Sequence, residues 1–116
     1  RKESSAASDV YKRQKVARSN EVTSLIPYVT KRYKTLPSMC LWREPDNSIG
    51  AIERFCPIGK EDLANGTISN NGIICPKHRI TWTSCGNANS MTSQVNTISY
   101  WWPTKEVCGS IYVKWK

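Results

Sequence analysis

Histidine is almost absent from this 116-residue chain, which contains His78 and no other. A catalytic iron site made of two histidines and a carboxylate therefore cannot be built within it. Long apolar runs are missing as well, since no stretch approaches the ~20 residues that a membrane-spanning helix needs. We expect a domain that has no membrane span and that is not an enzyme by itself.

Acidic residues are scarce, with nine Asp and Glu against seventeen Lys and Arg, for a net charge of +8. A charge of this sign suits an acidic protein, a nucleic acid or an anionic membrane surface. The basic residues are scattered apart from a short cluster at residues 31–34. So short a cluster is more typical of a solvated loop than of a phosphate-binding track. We therefore expect protein partners in a larger assembly and no nucleic acid.

Helical periodicity is also missing, since no dozen consecutive residues keep apolar side chains at helical spacing. Short apolar or alternating stretches are instead separated by Pro, Gly, Asn and Asp, which is typical of strands and turns. The predicted strands are residues 23–29, 39–43, 51–55, 73–74, 80–83, 97–102 and 111–115. The pattern predicts an all-β fold, a small antiparallel sandwich or barrel.

The cysteines are an odd number, five, and no recognisable secretory leader precedes them: Cys40, Cys56, Cys75, Cys85 and Cys108. A complete disulfide framework is therefore not the expected arrangement. We expect reduced thiols in an intracellular, reducing compartment, which includes organelles. A binding module stapled by disulfides, or by zinc on Cys56, Cys75, His78 and Cys85, is the second alternative.

The most informative motif is a pair of cysteine loops. Cys56-Pro57-Ile58 is followed, after sixteen residues, by Cys75-Pro76-Lys77-His78. This pair resembles the ligand loops of Rieske proteins, in which a Cys-x-His loop and a Cys-x-x-His loop bind one 2Fe-2S cluster. The resemblance implies a Rieske-type fold in which Cys56, Cys75 and His78 are the metal ligands.

The resemblance to the Rieske domain of ring-hydroxylating oxygenases is best over residues 40–116. It includes a hairpin that leads into Cys56, Trp82 near the usual aromatic position, and a closing strand over residues 108–113. We expect a single domain over residues 15–116, which could be a fragment of a longer chain. Residues 1–14 are similar to a translated library adapter, and we interpret them as an adapter-derived or disordered leader outside the fold.

Ile58 stands where the first histidine ligand of the family belongs, and its side chain has no lone pair to donate. Arg79 stands where a glycine usually follows the second histidine. We therefore expect a degenerate site with no bound cofactor, in a structural or docking subunit of a larger assembly, redox assemblies included. The alternative is a working electron-transfer domain of an oxidoreductase with a 2Fe-2S cluster. Its unusual fourth ligand would then come from Cys85, Lys77 or Asp62.

The tryptophans carry a further expectation. Trp101 and Trp102 are adjacent, and consecutive side chains of a strand face opposite ways. We expect one of these rings to point outward, toward another domain. Trp42, Trp82 and Phe55 are expected in the core.

Overall fold

The computed structural model describes residues 12–32, 36–77, 79–89 and 97–115. Within these ranges the chain forms ten β-strands and two 3-10 turns, at Ser19–Glu21 and Leu63–Asn65. The strands are β1 (Lys12–Arg18), β2 (Tyr28–Val29), β3 (Met39–Arg43), β4 (Ile49–Glu53), β5 (Thr67–Ser69), β6 (Gly72–Ile74), β7 (Thr81–Trp82), β8 (Ala88–Asn89), β9 (Thr104–Val107) and β10 (Ser110–Trp115). They form three antiparallel sheets, ordered β1-β10-β9, β2-β3-β4 and β5-β6-β7-β8. The prediction of a small antiparallel all-β fold is confirmed.

The β3–β4 hairpin is buried on both faces and separates two hydrophobic cores. Side chains alternate between the two faces of a strand. Met39 and Leu41 join a core with residues of β1 and β10. Cys40 and Trp42 face the other way, into a second core that holds both loop cysteines. The hairpin therefore packs against the region that contains the predicted cysteine ligands.

The hairpin turn of residues 44–48 is shaped by local polar contacts. The backbone N–H of Glu44 donates to the carbonyl of Ser48 at 2.8 Å. Asp46 Oδ1 accepts from the Ser48 N–H at 3.0 Å. Asn47 has a φ of 74°, in the left-handed region that Asn tolerates better than most residues. The hairpin predicted ahead of Cys56 is thus present.

The first strand of the structure was not predicted from the sequence. β1 begins at Lys12, and Lys12, Arg13 and Gln14 pair with Trp115, Lys114 and Val113 of β10. Residues 12–14 of the expected leader are therefore part of a sheet, while residues 1–11 lie outside the described residues. The strand is polar apart from Val16 and Ala17, so its sequence carries little of the apolar alternation that identifies strands.

The segment at residues 97–102 was predicted as a strand, and it runs beside β4 without forming a ladder. Glu53 N–H donates to the Tyr100 carbonyl and Trp102 N–H to the Ala51 carbonyl, both at 3.0 Å. A single antiparallel bridge joins Trp101 to Ile52. β9, which was not predicted, is an exposed edge strand with little apolar signal.

The aromatic side chains divide between core and surface. Trp42 and Trp82 are fully buried, as predicted, but Phe55 is 41% exposed, so its assignment to the core was wrong. Trp101 is 45% exposed, whereas Trp102 packs against the β1–β10 core.

Among the described residues, no helix has the length and apolar character needed to cross a membrane.

Candidate metal centre

The two cysteine loops have the same backbone hydrogen-bond pattern. In the first loop (residues 56–61), Lys60 N–H donates to the Cys56 carbonyl at 3.0 Å and Cys56 N–H to the Glu61 carbonyl at 2.7 Å. In the second loop (residues 75–80), the equivalent bonds join Arg79 to Cys75 at 2.9 Å and Cys75 to Ile80 at 2.8 Å. Each loop therefore presents its cysteine at the same position of the same turn.

In each loop, the fourth residue after the cysteine has a left-handed backbone conformation. Lys60 has a φ of 61° and Arg79 a φ of 59°. Glycine is the usual residue for this conformation, because any other side chain costs about 1 kcal/mol there. Arg79 therefore keeps the loop geometry at a modest cost in stability.

Cys56 and Cys75 are fully buried free thiols that share one core with Trp82. Burial raises the pKa of the Cys56 thiol, and the adjacent Cys75 thiol raises it further. The backbone N–H of Ile58 and the indole N–H of Trp82 oppose this shift, because they favour the Cys56 thiolate. The loops thus bring together the two thiols that the sequence predicts as metal ligands.

Ile58 is partly buried and packs against the same core as the two thiols. Its position two residues after Cys56 is the one at which the resemblance expects a histidine. The Ile58 backbone can support a thiolate, whereas its side chain has no atom that can bind iron. His78, the other predicted ligand, lies outside the described residues.

The indole N–H of Trp82 is buried, and Trp82 Nε1 has no hydrogen-bond partner. It is close enough to Cys56 to favour the thiolate, but it does not make a hydrogen bond to the neutral thiol. Buried N–H groups without partners are rare in folded proteins and carry a cost in free energy. An anionic acceptor among the thiols would satisfy this donor.

An ion pair closes the base of the first loop. Arg54 Nη2 lies 2.8 Å from Asp62 Oδ2, and Arg54 Nε donates to both oxygens of the same carboxylate. Asp62 Oδ1 also accepts from Ala64 N–H at 3.0 Å. The Arg54 guanidinium is the main reason that the pKa of Asp62 is lowered. Asp62 is therefore engaged elsewhere, which counts against it as a fourth iron ligand.

The other two residues considered for that ligand lie near the surface. Lys77 is 66% exposed, and Lys77 Nζ faces Glu61 Oε1 at 3.9 Å, which links the two loops weakly. Cys85 is exposed in the turn between β7 and β8. Within the described ranges, which omit His78, no three His, Cys, Asp or Glu side chains form a group that could hold a metal ion.

The residues present fit one half of a Rieske-type cluster. Two buried thiols side by side, with a spare N–H donor beside them, match the thiolate ligands of the inner iron. All five cysteines lie within the described ranges and are free. At the outer iron of such a cluster, the Ile58 side chain would offer no ligand.

Sequence reasoning singled out Cys56 and Cys75, whose role as ligands stays a prediction, but it did not identify the Arg54–Asp62 ion pair or the buried Trp82 N–H. Asp62 did carry a signal, because an Asp that precedes a short helical turn is a typical N-cap. No sequence signal indicated the Arg54–Asp62 pair, since the pair depends on the antiparallel bridge that Phe55 forms with Asp62.

Several solved structures share this fold at low sequence identity. The Sphingomonas yanoikuyae B1 ferredoxin matches with a TM-score of 0.77 and 16% identity, over 90% of this chain and 100% of that chain. A chain in the complex of reduced oxygenase and oxidized ferredoxin in carbazole 1,9a-dioxygenase matches with a TM-score of 0.71 and 22% identity, over 90% of this chain and 92% of that one.

Dicamba monooxygenase with non-heme iron and dicamba matches with a TM-score of 0.74 and 20% identity, over 88% of this chain. The chain spans about a third of the length of dicamba monooxygenase, 32%. No curated protein sequence matches this chain.

A family model described as the Rieske [2Fe-2S] domain matches residues 12–101. Together with the ferredoxin fold, this match points to a 2Fe-2S cluster. The expectation that the domain binds no cofactor is therefore wrong: it gave the loss of one ligand at Ile58 more weight than the retention of both thiols. Because the family model covers most of its length, the chain belongs to the Rieske [2Fe-2S] domain family.

Proposed function

We propose that this chain is an electron-transfer domain that carries a 2Fe-2S cluster between its two loops. The observation that supports this most strongly is the equivalence of the loops, each of which places a buried, free cysteine at the same position. A domain that had only a structural role would not need both thiols to be unpaired and adjacent.

The thiolates of Cys56 and Cys75 would hold the inner iron, and His78 would supply one ligand to the outer iron. A bound cluster of this type accepts and releases one electron at a time. The chain's own contribution is a dry, fixed environment, since Trp42, Ile73 and Trp82 around the thiols are fully buried. Burial and hydrogen bonds to sulfur are the means by which a protein sets the potential of such a centre.

The electron would be exchanged with protein partners. Similarity to a ferredoxin, and to a chain in a complex of oxygenase and ferredoxin, favours a role in an oxygenase-type redox assembly. Such a role needs no catalytic residues in this chain, which agrees with its single histidine. The exposed Tyr100 and Trp101 offer an apolar surface for a partner.

Anaerobic reconstitution of the full chain with iron and sulfide tests this function. We expect about two irons and two sulfides per chain, visible absorption, and a paramagnetic signal after reduction. Changing Cys56 and Cys75 together to Ser should abolish all three, whereas the matched pair Cys85→Ser and Cys108→Ser should retain them. A folded wild-type chain that stays colourless and free of iron and sulfide would refute the proposal.

A further inference from the structure

We propose that the groove between β1 and β2 binds an acidic, extended segment of a partner protein, which adds alongside the free edge of β1. The groove has a volume of about 410 Å³ and is lined by residues of both strands and of the segment that follows β2. None of these residues belongs to the two cysteine loops. The proposal therefore goes beyond the electron-transfer function and does not depend on a bound cluster.

The first support is that the two sheets around this core are joined on one side and open on the other. On the joined side, Thr104 Oγ1 of β9 donates to the Ile49 carbonyl of β4 at 2.9 Å, and Arg43 pairs with Glu106 of β9 at 2.9 Å. On the opposite side, β1 and β2 are the outer strands of their sheets, and no ladder joins them within the described residues. Each strand therefore has an unpaired backbone edge.

The edge of β1 is long enough to take an added strand. β1 has seven residues, whereas β2 has two. The N–H and C=O groups along such an edge can form a ladder with an extended peptide, a common mode of peptide recognition. The register of β1 against β10 shifts between Lys15 and Ala17, so we expect the added ladder to be short.

The floor of the groove is apolar and consists of Val16, Tyr28 and Leu36. Leu36 is buried in the core between the two sheets, whereas Val16 and Tyr28 pack against that core and stay partly exposed. Successive side chains of an extended segment point to opposite faces. Apolar side chains on one face of the segment would cover this floor, and the side chains on the other face would reach the rim.

The rim of the groove is basic. Lys15 lies on the β1 side, and Lys31 and Arg32 lie on the β2 side, all three exposed. None of the described residues that line the groove is acidic. The basic cluster that begins at residue 31 thus lies beside an unpaired strand edge, where it can attract carboxylates.

Glu21 lies near the groove without lining it. Burial raises the pKa of Tyr28, and the Glu21 carboxylate raises it further. Glu21 Oε1 also accepts a hydrogen bond from the Arg18 N–H at 2.8 Å, at the end of β1. The three cations of the rim outnumber this single carboxylate, so the groove keeps a positive charge.

That charge distinguishes an acidic partner from a second copy of this chain. A second copy that paired along β1 would bring its own exposed Arg13 and Lys15 to the same edge. Like charges placed opposite each other on paired strands are destabilising, and lysines on an edge strand oppose pairing between copies. A segment that alternates acidic and apolar side chains satisfies the rim and the floor together.

The test uses a fluorescent ten-residue peptide in which glutamate alternates with valine, titrated with the full chain and followed by anisotropy. One control peptide has lysine in place of each glutamate, and the other has proline in place of every second valine. Proline removes the N–H groups that a ladder needs. We expect the acidic peptide to bind at least about tenfold more tightly than either control. Equal binding of either control would overturn the proposal.

Charge reversals locate the site. Lys15→Glu and Lys31→Glu should each weaken binding of the acidic peptide about fivefold or more. Lys105→Glu is the matched control, because Lys105 is exposed on β9, the other outer strand of the β1-β10-β9 sheet. It should weaken binding by less than about twofold. Equal losses in all three variants would mean that net charge alone attracts the peptide, and would overturn the groove as its site.

Hydrogen exchange of the wild-type chain gives a second readout without substitutions. The acidic peptide should slow exchange at residues 13–16 and leave residues 104–107 of β9 unchanged. Slowing confined to the two cysteine loops would overturn the proposal. So would the absence of binding together with slow exchange at residues 13–16 in the free chain, since another part of the chain or a second copy would then fill the groove.

This proposal and the electron-transfer function fail separately. A chain that stays free of iron and sulfide but binds the acidic peptide would refute the electron-transfer function and support the groove. A chain that assembles a cluster but does not distinguish the acidic peptide from its controls would refute the groove alone.

Discussion

Arg54 and Asp62 form a bidentate ion pair across the base of the first loop, with Arg54 Nη2 and Asp62 Oδ2 2.8 Å apart. A backbone hydrogen bond reinforces this contact, because the N–H of Leu63, the residue after Asp62, donates to the Arg54 carbonyl at 2.8 Å. Arg54 additionally lies over the Phe55 ring, 5.2 Å from its centroid. These contacts fix both ends of the loop that carries Cys56.

Asp62→Asn should destabilise the domain by about 1–2 kcal/mol, because it removes a partly buried, charge-assisted pair. Asn can still accept from Ala64 N–H, so the loss reports mainly on the ion pair. Urea unfolding measures the difference. Asp46→Asn is the control: Asp46 is exposed and accepts local hydrogen bonds from Ser48, so we expect little change in the free energy of unfolding. Equal losses in the two variants would contradict the role of the pair.

Acid should weaken the contact between Arg43 and Glu106. Their side chains form two hydrogen bonds, of 3.1 and 2.9 Å, across 63 residues of sequence. The Arg43 guanidinium is the main cause that lowers the pKa of Glu106 to about 2. Because the pKa is lowered on folding, the stabilisation is fully present above the unfolded value near 4.5 and is lost as the pH falls toward 2.

Glu106→Gln should therefore cost about 1 kcal/mol at pH 6 to 7, a figure reduced for the partial exposure of the pair. Near pH 2 the variant and the wild type should be equally stable. Urea unfolding at several pH values from 2 to 7 checks this. A difference that does not change with pH would mean that Gln disturbs packing and that the charge is unimportant.

Gly72 lies in β6 at a point where the backbone packs closely against β7, the strand that contains Trp82. An added Cβ would lie 2.1 Å from the Trp82 carbonyl oxygen, and the residue has a φ of +149°. Gly72→Ala should therefore cost more than about 3 kcal/mol. Gly109 is the matched control, with a φ of +80° and no atom within 4 Å of an added Cβ. Gly109→Ala should cost only about 1 kcal/mol, for the backbone strain; equal costs would contradict the predicted clash.

The cysteines should differ sharply in reactivity in the cluster-free protein. Cys85 and Cys108 are exposed, whereas Cys40 is buried, and burial is the main cause that raises its pKa to about 12. At pH 8, iodoacetamide should modify Cys85 and Cys108 about 100-fold faster than Cys40. Peptide mass spectrometry measures the rates, and labelling in urea provides the control in which all five react. Two intact disulfides in the unreduced protein would contradict the free-thiol assignment.

The parts of the fold that the sequence predicted are those that depend on individual residue types. Cys56 and Cys75 identify the loops, and the β3–β4 hairpin shows turn residues between apolar runs. β1 and β9 were missed because they are largely polar edge strands. They are stabilised by pairing with β10, which local sequence does not encode.

The metal centre was predictable to a similar extent. The thiols followed from spacing, but the free Trp82 N–H depends on the orientation of one ring in a shared core, which no spacing reveals. The Arg54–Asp62 pair likewise requires the chain segments before and after the first loop to run antiparallel, as the bridge between Phe55 and Asp62 shows. The replacement of a histidine ligand by Ile58 stays a prediction, and its weight against the two thiols could not be judged from sequence.

Ile58→His tests how completely the loops retain the geometry of a Rieske centre. Ile58 is partly buried against the core of the two thiols and stands two residues after Cys56. An imidazole there would supply the ligand that isoleucine cannot, so the variant should hold iron more tightly. We expect iron loss to a chelator to slow by about tenfold or more, with a change in the visible spectrum.

Lys77→His is the matched control for that change. Lys77 stands two residues after Cys75, the same position in the second loop, but it is 66% exposed and faces Glu61. A histidine at this position adds the same chemical group without the burial, so it should leave iron retention within about twofold of wild type. If both variants gained equally, any added imidazole near the surface would suffice, and the first loop would not hold a specific ligand position. If Ile58→His gained nothing while the wild type still bound a cluster, another group would already occupy the place of the missing ligand.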